Sequence, residues 1–312
     1  MKKIAFLFPG QGSQAVGMGK DLFQEYDVVR EIFDAADDIA GTHISKYCFN
    51  GPMETLTETV NLQPAVTAVN LACLTAIQRA GIDCAFSAGH SLGEYSALKA
   101  ANVLSMADTL RLVFRRGELM HREATRFKGA MSAVVGLDIE AVNQLVEENP
   151  TSGVVSVANH NSAEQIVITG SPEAVAAVSA AAKSKGARAI PLKVSGAWHS
   201  DLIKGAEAEF GAFLMTIPFA SPTHPVIHNV TADSCSDADA IRQLMARQLC
   251  SPVRWYDTVC RLVEEAVTVF VEVGPGKVLA GLLKKIVPAD YACQVYNVSN
   301  LKSLETLSKA LA

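Results

Sequence analysis

Three side chains in this 312-residue chain are of the types that nucleophilic chemistry at a carbonyl needs: Ser91, Arg116 and His199. Ser91 is the centre of Gly89-His90-Ser91-Leu92-Gly93, where the apolar run Ile82 to Ala88 gives way to a helical pattern. Glycines two residues to either side allow a strand to turn sharply into a helix, with the serine Oγ projecting from the bend. The first N–H groups of that helix, and the positive end of its dipole, would face a carbonyl oxygen becoming an oxyanion beside Oγ. The same spacing suits a purely structural turn. On a helix from Ser105 to about Thr125, Arg116 has Leu112, Val113, Leu119 and Met120 as neighbours at three and four residues, whereas Arg115 has Arg111 and Glu118. Arg116 therefore belongs to the apolar face, where a guanidinium stays protonated and must meet an anion of the protein or of a ligand. His199 follows a strand end and the small-residue turn Ser195-Gly196-Ala197. It suits either a general base or a satisfied structural histidine.

Several elements must position these residues. Lys3 to Phe8 is an apolar run of buried-strand type, ending in the turn Pro9-Gly10-Gln11-Gly12-Ser13. That turn lacks the third glycine of a dinucleotide fingerprint and the lysine of a phosphate loop, so both readings are rejected. It would lie at the carboxyl end of a strand, where open α/β sheets place their sites. The periodicity predicts a helix over 21–40, a second opened by Gln63-Pro64 and closed by Gly81, and one over 92–101. Ser105-x-x-Asp108 has the form of a capping box for the Arg116 helix. From 129 to 194 the pattern becomes β-α-β-β-α-β, the order of a ferredoxin-like split unit inserted in a larger domain. Strands over 225–230 and 267–273 and helices over 240–249 and 278–286 follow. Pro225 prevents the helix that would set His224 and His228 on one face, so no metal site is expected.

Composition narrows the function classes. A net charge of −5 without a Lys/Arg run argues against general nucleic-acid binding. The apolar stretch after Met1-Lys2-Lys3 lasts five residues, too short for an export signal, and no other run reaches the ~18 continuous apolar residues of a membrane span. Seven scattered cysteines without a C-x-x-C pair read as reduced, mostly core residues of a cytoplasmic protein.

Phe8-Pro9-Gly10-Gln11-Gly12-Ser13-Gln14, Gly89-His90-Ser91-Leu92-Gly93-Glu94-Tyr95, Arg116-Gly117, Ala158-Asn159-His160-Asn161-Ser162, Ser195-Gly196-Ala197-Trp198-His199-Ser200, Gln248-Leu249-Cys250-Ser251-Pro252-Val253 and Gly274-Pro275-Gly276-Lys277-Val278-Leu279 together resemble the malonyl-CoA:acyl carrier protein transacylases, in order and over nearly the whole chain. The resemblance implies an α/β-hydrolase-like large domain (1–127 and 195–312) with an inserted ferredoxin-like domain (128–194). It implies Ser91 as nucleophile and His199 as general base, oriented by a backbone carbonyl near Gln248 rather than by an Asp. The backbone N–H groups of Gln11 and Leu92 would form the oxyanion hole. Arg116 would grip the free carboxylate of the malonyl group, Gln63 would line the acyl pocket, and His90, Asn161, Trp198 and Gln248 fall in the substrate-binding set. Malonyl-CoA and acyl carrier protein are then the partners, with no metal, no bound cofactor, no nucleic acid and no membrane, in fatty-acid or polyketide synthesis. A monomer is expected, with Lys284 and Lys285 as candidates for docking an acidic carrier.

Two positions depart from the family pattern. Trp198 stands where Phe is usual, which is expected to narrow the acyl pocket against α-branched groups. Asp201 replaces a common Pro, and its charge is expected to raise the His199 pKa. The competing reading is a serine esterase or thioesterase using the same elbow, for which Asp138 is the one tempting acid between Ser91 and His199. Asp138 is instead expected to cap the first helix of the inserted unit. A non-catalytic carrier-binding module is the third reading, and it leaves a buried guanidinium without a purpose.

Overall fold

The computed structural model describes residues 2–149 and 153–311. Its strands are β1 (Ile4–Phe8), β2 (Phe86–Gly89), β3 (Ala130–Val135), β4 (Val155–Ser162), β5 (Gln165–Gly170), β6 (Arg188–Pro191), β7 (Val226–Ile227), β8 (Val269–Val273) and β9 (Gln294–Val298). The helices are α1 (Lys20–Glu25), α2 (Asp27–Ala40), α3 (Ile44–Asn50), α4 (Met53–Thr57), α5 (Thr59–Arg79), α6 (Gly93–Ala100), α7 (Met106–Arg126), α8 (Ile139–Glu148), α9 (Pro172–Ser184), α10 (Gly205–Leu214), α11 (Ala238–Arg247), α12 (Trp255–Glu264), α13 (Val278–Ile286) and α14 (Leu301–Leu311).

Two sheets result, a parallel one ordered β7-β2-β1-β8-β9 and an antiparallel one ordered β4-β5-β3-β6. The parallel strands β1, β2 and β8 are apolar almost throughout because helices cover both faces of the sheet. Phe8 pairs with Gly89 and Ala88 with Ile227, so the loops after β1, β2 and β7 leave one edge of the sheet side by side. Glu272 at the end of β8 accepts from the amides of Leu279 and Ala280 (3.0 and 2.9 Å), which holds the Gly274-Pro275-Gly276 turn against the start of α13. The antiparallel sheet has the order expected of the β-α-β-β-α-β unit and buries its own cluster around Val134, Leu145, Ile166 and Val178.

Several expectations are corrected. The helix expected over 21–40 is two helices, because Tyr26 is extended; Arg30 then donates to the freed Phe23 and Gln24 carbonyls (2.9 Å each) at the end of α1. The helix expected to open at Gln63-Pro64 begins at Thr59, with Pro64 inside it. Burial of Thr59, Asn61 and Leu62 holds the extra turn although Pro64 supplies no N–H to it. This helix is also long and apolar enough to cross a membrane by length and composition, since mean hydropathy averages over the polar Thr67 and Asn70 that interrupt its apolar run. It is the core helix here, 89% of that window being buried. The strand expected over 225–230 is only Val226–Ile227. The second strand of the inserted unit, β4, runs to Ser162 through two irregularities, which places the Asn159-His160-Asn161 motif on the strand itself. Asp138 caps α8 through the Ala141 amide (2.8 Å), and Ser105 caps α7 through Asp108 (3.0 Å), as expected.

The elbow depends on close backbone contact. A Cβ on Gly93 would sit 1.9 Å from the Phe8 carbonyl oxygen, and one on Gly89 would sit 2.0 Å from the Gly93 carbonyl carbon. Gly93→Ala is therefore expected to cost about 3 kcal/mol or more, since β1 and α6 must separate to admit a methyl group. Urea midpoints of the two proteins check this; a midpoint equal to the parent's would mean the contact is soft.

Candidate active site

Ser91 turns out of β2 with φ +50°, a left-handed conformation that a non-glycine residue adopts only when its surroundings enforce it. The enforcement is visible: Asn229, at the end of β7, accepts from the Ser91 amide (2.7 Å) and donates to the Gly89 carbonyl (2.6 Å). His199, also at positive φ (+60°), brings Nε2 to 2.8 Å from Ser91 Oγ. Its Nδ1 faces two backbone carbonyls, Gln248 and Ser251, each at 3.0 Å. Two acceptors at Nδ1 fix the proton there and leave the Nε2 lone pair for the serine hydroxyl.

Burial, and next the Arg116 charge, push the His199 imidazole down to about 3. Asp201 has no part in this. It is exposed at the start of a 3-10 turn and acts on Cys250, so the expected upward shift of His199 is overturned by the nearer guanidinium.

Arg116 is 1% exposed. Its Nη1 donates to Gln63 Oε1 (2.8 Å) and lies 3.1 Å from Met120 Sδ; its Nη2 donates to Ser91 Oγ (3.1 Å) and Gln248 Oε1 (3.2 Å). Every one of these partners is uncharged. The guanidinium carbon also stands 5.7 Å from the Tyr95 ring centroid, a cation–π distance. Burial lowers the group from its usual range while Tyr95 and Glu94 raise it, and it remains a cation. Gly117 permits the Gln63 contact: a Cβ there would meet Thr59 O at 3.1 Å and Gln63 Cβ at 3.2 Å, so α5 packs directly on α7.

Gln11 and Leu92 lie in adjacent loops, a Cβ on Gly10 falling 3.5 Å from the Leu92 nitrogen. Among the described residues, neither the Gln11 nor the Leu92 amide has a hydrogen-bond acceptor. His90 Nε2 meets Asn161 Oδ1 at 2.8 Å, joining the elbow to β4, and the His90 ring packs on Trp255 (centroids 5.6 Å). A cavity of about 440 Å³ opens here, lined by Gln11, His90, Asn161, Gln165, Lys277 and Lys285 among others. Lys285 crosses it to Gln165 Oε1 (3.0 Å), while Lys284 is exposed. Trp198 is buried in the main core with its ring folded over Gly196 and close to Ala124.

Known proteins resemble this chain in sequence and fold. The acyl transferase domain model matches residues 5–308. The malonyl CoA-acyl carrier protein transacylase of Bacillus subtilis is 45% identical over 288 residues, 92% of this chain and 91% of its own. That of Haemophilus influenzae is 42% identical over 308 residues, 98% and 99% of the two chains. The chain belongs to the acyl transferase family, among the malonyl CoA-acyl carrier protein transacylases. Two solved structures extend the likeness to the transacylase fold. An acyl carrier protein S-malonyltransferase from Vibrio cholerae superposes with TM-score 0.92 at 40% identity over 98% and 99% of the chains. A malonyl-transacylase in complex with its type II PKS acyl carrier protein superposes with TM-score 0.94 at 39% identity over 99% of each.

The structure thus brings Ser91, His199, Arg116, Gln63 and Gln248 into one hydrogen-bonded cluster, with His90 and Asn161 as a second pair beside it. Sequence reasoning missed four residues that support this cluster without belonging to it: Asn229 beneath the elbow, Ser251 as the second acceptor for His199, and the Glu94–His228 pair behind Gln248. Glu94 carried a signal, as a carboxylate in the first turn of a helix made mostly of small and apolar residues, and Ser251 stood in the Gln248 to Val253 motif.

Proposed function

We propose that this transacylase moves a malonyl group from malonyl-CoA to the phosphopantetheine thiol of acyl carrier protein through an ester on Ser91. The observation that carries the reading is the buried Arg116 guanidinium, 3.1 Å from Ser91 Oγ and surrounded by uncharged acceptors. A malonyl ester sets its carboxylate one methylene beyond the carbonyl carbon, within reach of a cation beside the nucleophile.

In the first half-reaction Ser91 Oγ passes its proton to His199 Nε2 and attacks the thioester carbon. The tetrahedral oxyanion is held by the Gln11 and Leu92 amides, each such donor being worth about 3 kcal/mol in the transition state. Collapse expels the coenzyme A thiolate, which takes the proton from His199. In the second half the carrier thiol gives its proton to His199, attacks the malonyl ester, and Ser91 leaves with the proton restored. The 440 Å³ cavity, reaching Gln11 and His90 from the Lys277 and Lys285 side, suits a pantetheine arm and then an acidic carrier. These steps require no metal or bound cofactor, and they serve fatty-acid and polyketide synthesis alike. Free cysteines throughout suit a cytoplasmic setting, and the chain is expected to act as a monomer.

The hydrolase reading loses its acid, because Asp138 caps α8 and His199 rests on carbonyl oxygens. Intact-mass measurement after mixing with malonyl-CoA tests the choice. A malonyl adduct stable in water for minutes and discharged within seconds by phosphopantetheinylated carrier protein is expected. An adduct lost to water as quickly as to the carrier would establish a hydrolase.

A further inference from the structure

Behind the Ser91, His199 and Arg116 cluster lies a pair that takes no part in the proposed acyl transfer. Glu94 is 1% exposed and His228 is fully buried, and His228 Nδ1 donates to Glu94 Oε1 at 2.9 Å. Glu94 Oε2 accepts from Gln248 Nε2 at 2.6 Å, and the same nitrogen donates to the Ser91 carbonyl at 2.9 Å. Gln248 Oε1 then accepts from Arg116 Nη2. The carboxylate thus meets a donor on each side. His228 Nε2 has no partner among the described residues, so a proton there would lack an acceptor, and the ring donates from Nδ1.

A glutamine side chain has two nearly isosteric orientations, one offering oxygen to Arg116 and the other offering NH2. A guanidinium carries only donors, so the second orientation would set donor against donor. The Ser91 carbonyl and the Glu94 carboxylate, both acceptors of Gln248 Nε2, exclude it, and the charged one at 2.6 Å is the stronger. An amide at 94 could not accept from His228 and Gln248 with both oxygens, because it has one. Arg116 also has no carboxylate among its direct partners, and Glu94 stands one side chain away from it.

We propose that Glu94 is a positioning residue for malonyl recognition: its acceptor-only carboxylate locks the Gln248 amide with Oε1 toward Arg116 and supplies the offset negative charge that keeps the guanidinium unpaired yet tolerated until substrate arrives. The idea rests on Arg116 being the carboxylate clamp. Glu94 touches neither substrate nor the reacting atoms.

The test compares parent enzyme, Glu94→Gln and Arg116→Ala with malonyl-CoA and acetyl-CoA, using phosphopantetheinylated acyl carrier protein as acceptor. Glu94→Gln is expected to lower kcat/KM for malonyl-CoA about 10- to 100-fold, chiefly through KM, as the loss of one charged hydrogen-bonding partner does. Acetyl transfer should stay within about 3-fold, because His199 is held by the Gln248 backbone rather than its side chain. A uniform loss on both substrates, or an unchanged malonyl-to-acetyl ratio, would overturn the role of Glu94. If Arg116→Ala itself leaves that ratio unchanged, the clamp reading is what fails. The other end of the relay gives an independent reading should Glu94→Gln not fold: His228→Asn keeps a donor to Glu94 and should keep the malonyl preference, whereas His228→Phe should lose about 5-fold or more of it. Equal preference in these two variants counts against the proposal.

Discussion

Arg116→Ala is expected to reduce malonyl transfer by about 10⁴-fold relative to acetyl transfer and to leave an enzyme that favours acetyl-CoA. The size follows from what the parent site does with charge. The guanidinium is buried and its neighbours Gln63, Gln248, Met120 and Ser91 are all neutral, so its charge is available to a ligand. On the proposed reading a malonyl carboxylate makes a charge-assisted pair with it, worth about 1.5 to 3 kcal/mol directly. An acetyl group leaves it unpaired, and sites built around such a partner reject the analogue lacking it by about 10⁴. With alanine the balance reverses: the malonyl carboxylate would be the buried unpaired ion, while acetyl meets only an enlarged pocket. Competitive loading from an equimolar mixture of the two thioesters, read by intact mass, gives the ratio in one experiment. A variant that still loads malonyl by more than 10-fold over acetyl would show that specificity resides elsewhere, with Trp198 the next residue to change.

The parts of this architecture legible in the sequence are those whose cause is local. Glycines flanking Ser91 announce a close backbone approach, and the structure realises it as Gly93 pressed against Phe8. Helical periodicity put Arg116 and Arg115 on opposite faces, and they are respectively buried and partly exposed in ion pairs with Glu118 and Glu209. The inserted antiparallel unit followed from its element order alone. What was not legible depends on pairing between distant segments. Glu94 and His228 are 134 residues apart, and Ser91 and Asn229 are 138 apart; no spacing rule joins them, because only the β2–β7 register brings their loops together. The carboxyl-terminal β9 escaped for a different reason: it is a half-buried edge strand containing Gln294 and Asn297 and has no sustained apolar run, whereas α14 after it does carry a helical signal in Leu301, Leu304, Leu307 and Leu311. Pro64 misled because its usual place is a first helical turn, whereas here burial of the preceding turn outweighs the lost hydrogen bond.

His199→Ala and Ser91→Ala are both expected to abolish transfer, by about 10⁴-fold or more, yet they should differ sharply in how stability depends on pH. His199 sits at about 3 in the folded protein, held down by burial and then by Arg116, and near 6.5 when the chain unfolds. Between those two values the unfolded chain binds a proton that the folded protein refuses. Unfolding free energy therefore falls as pH falls below about 6.5, by about 1.4 kcal/mol per pH unit from this residue, and this residue adds no slope above that. Ser91→Ala retains the histidine and should retain the slope. His199→Ala removes it, so its stability should decline more gently on acidification. His90, His160 and His224, which burial also lowers, are common to both variants and cancel in the difference. Urea midpoints of the two variants at pH 7.5, 6.5, 5.5 and 4.5 give the comparison, and identical slopes would mean that His199 is charged in the folded protein. The kinetic counterpart has the same origin: a base that stays neutral keeps its Nε2 lone pair on Ser91 Oγ, so kcat/KM of the parent enzyme should pass through pH 6.5 without the inflection that an ordinary catalytic histidine produces.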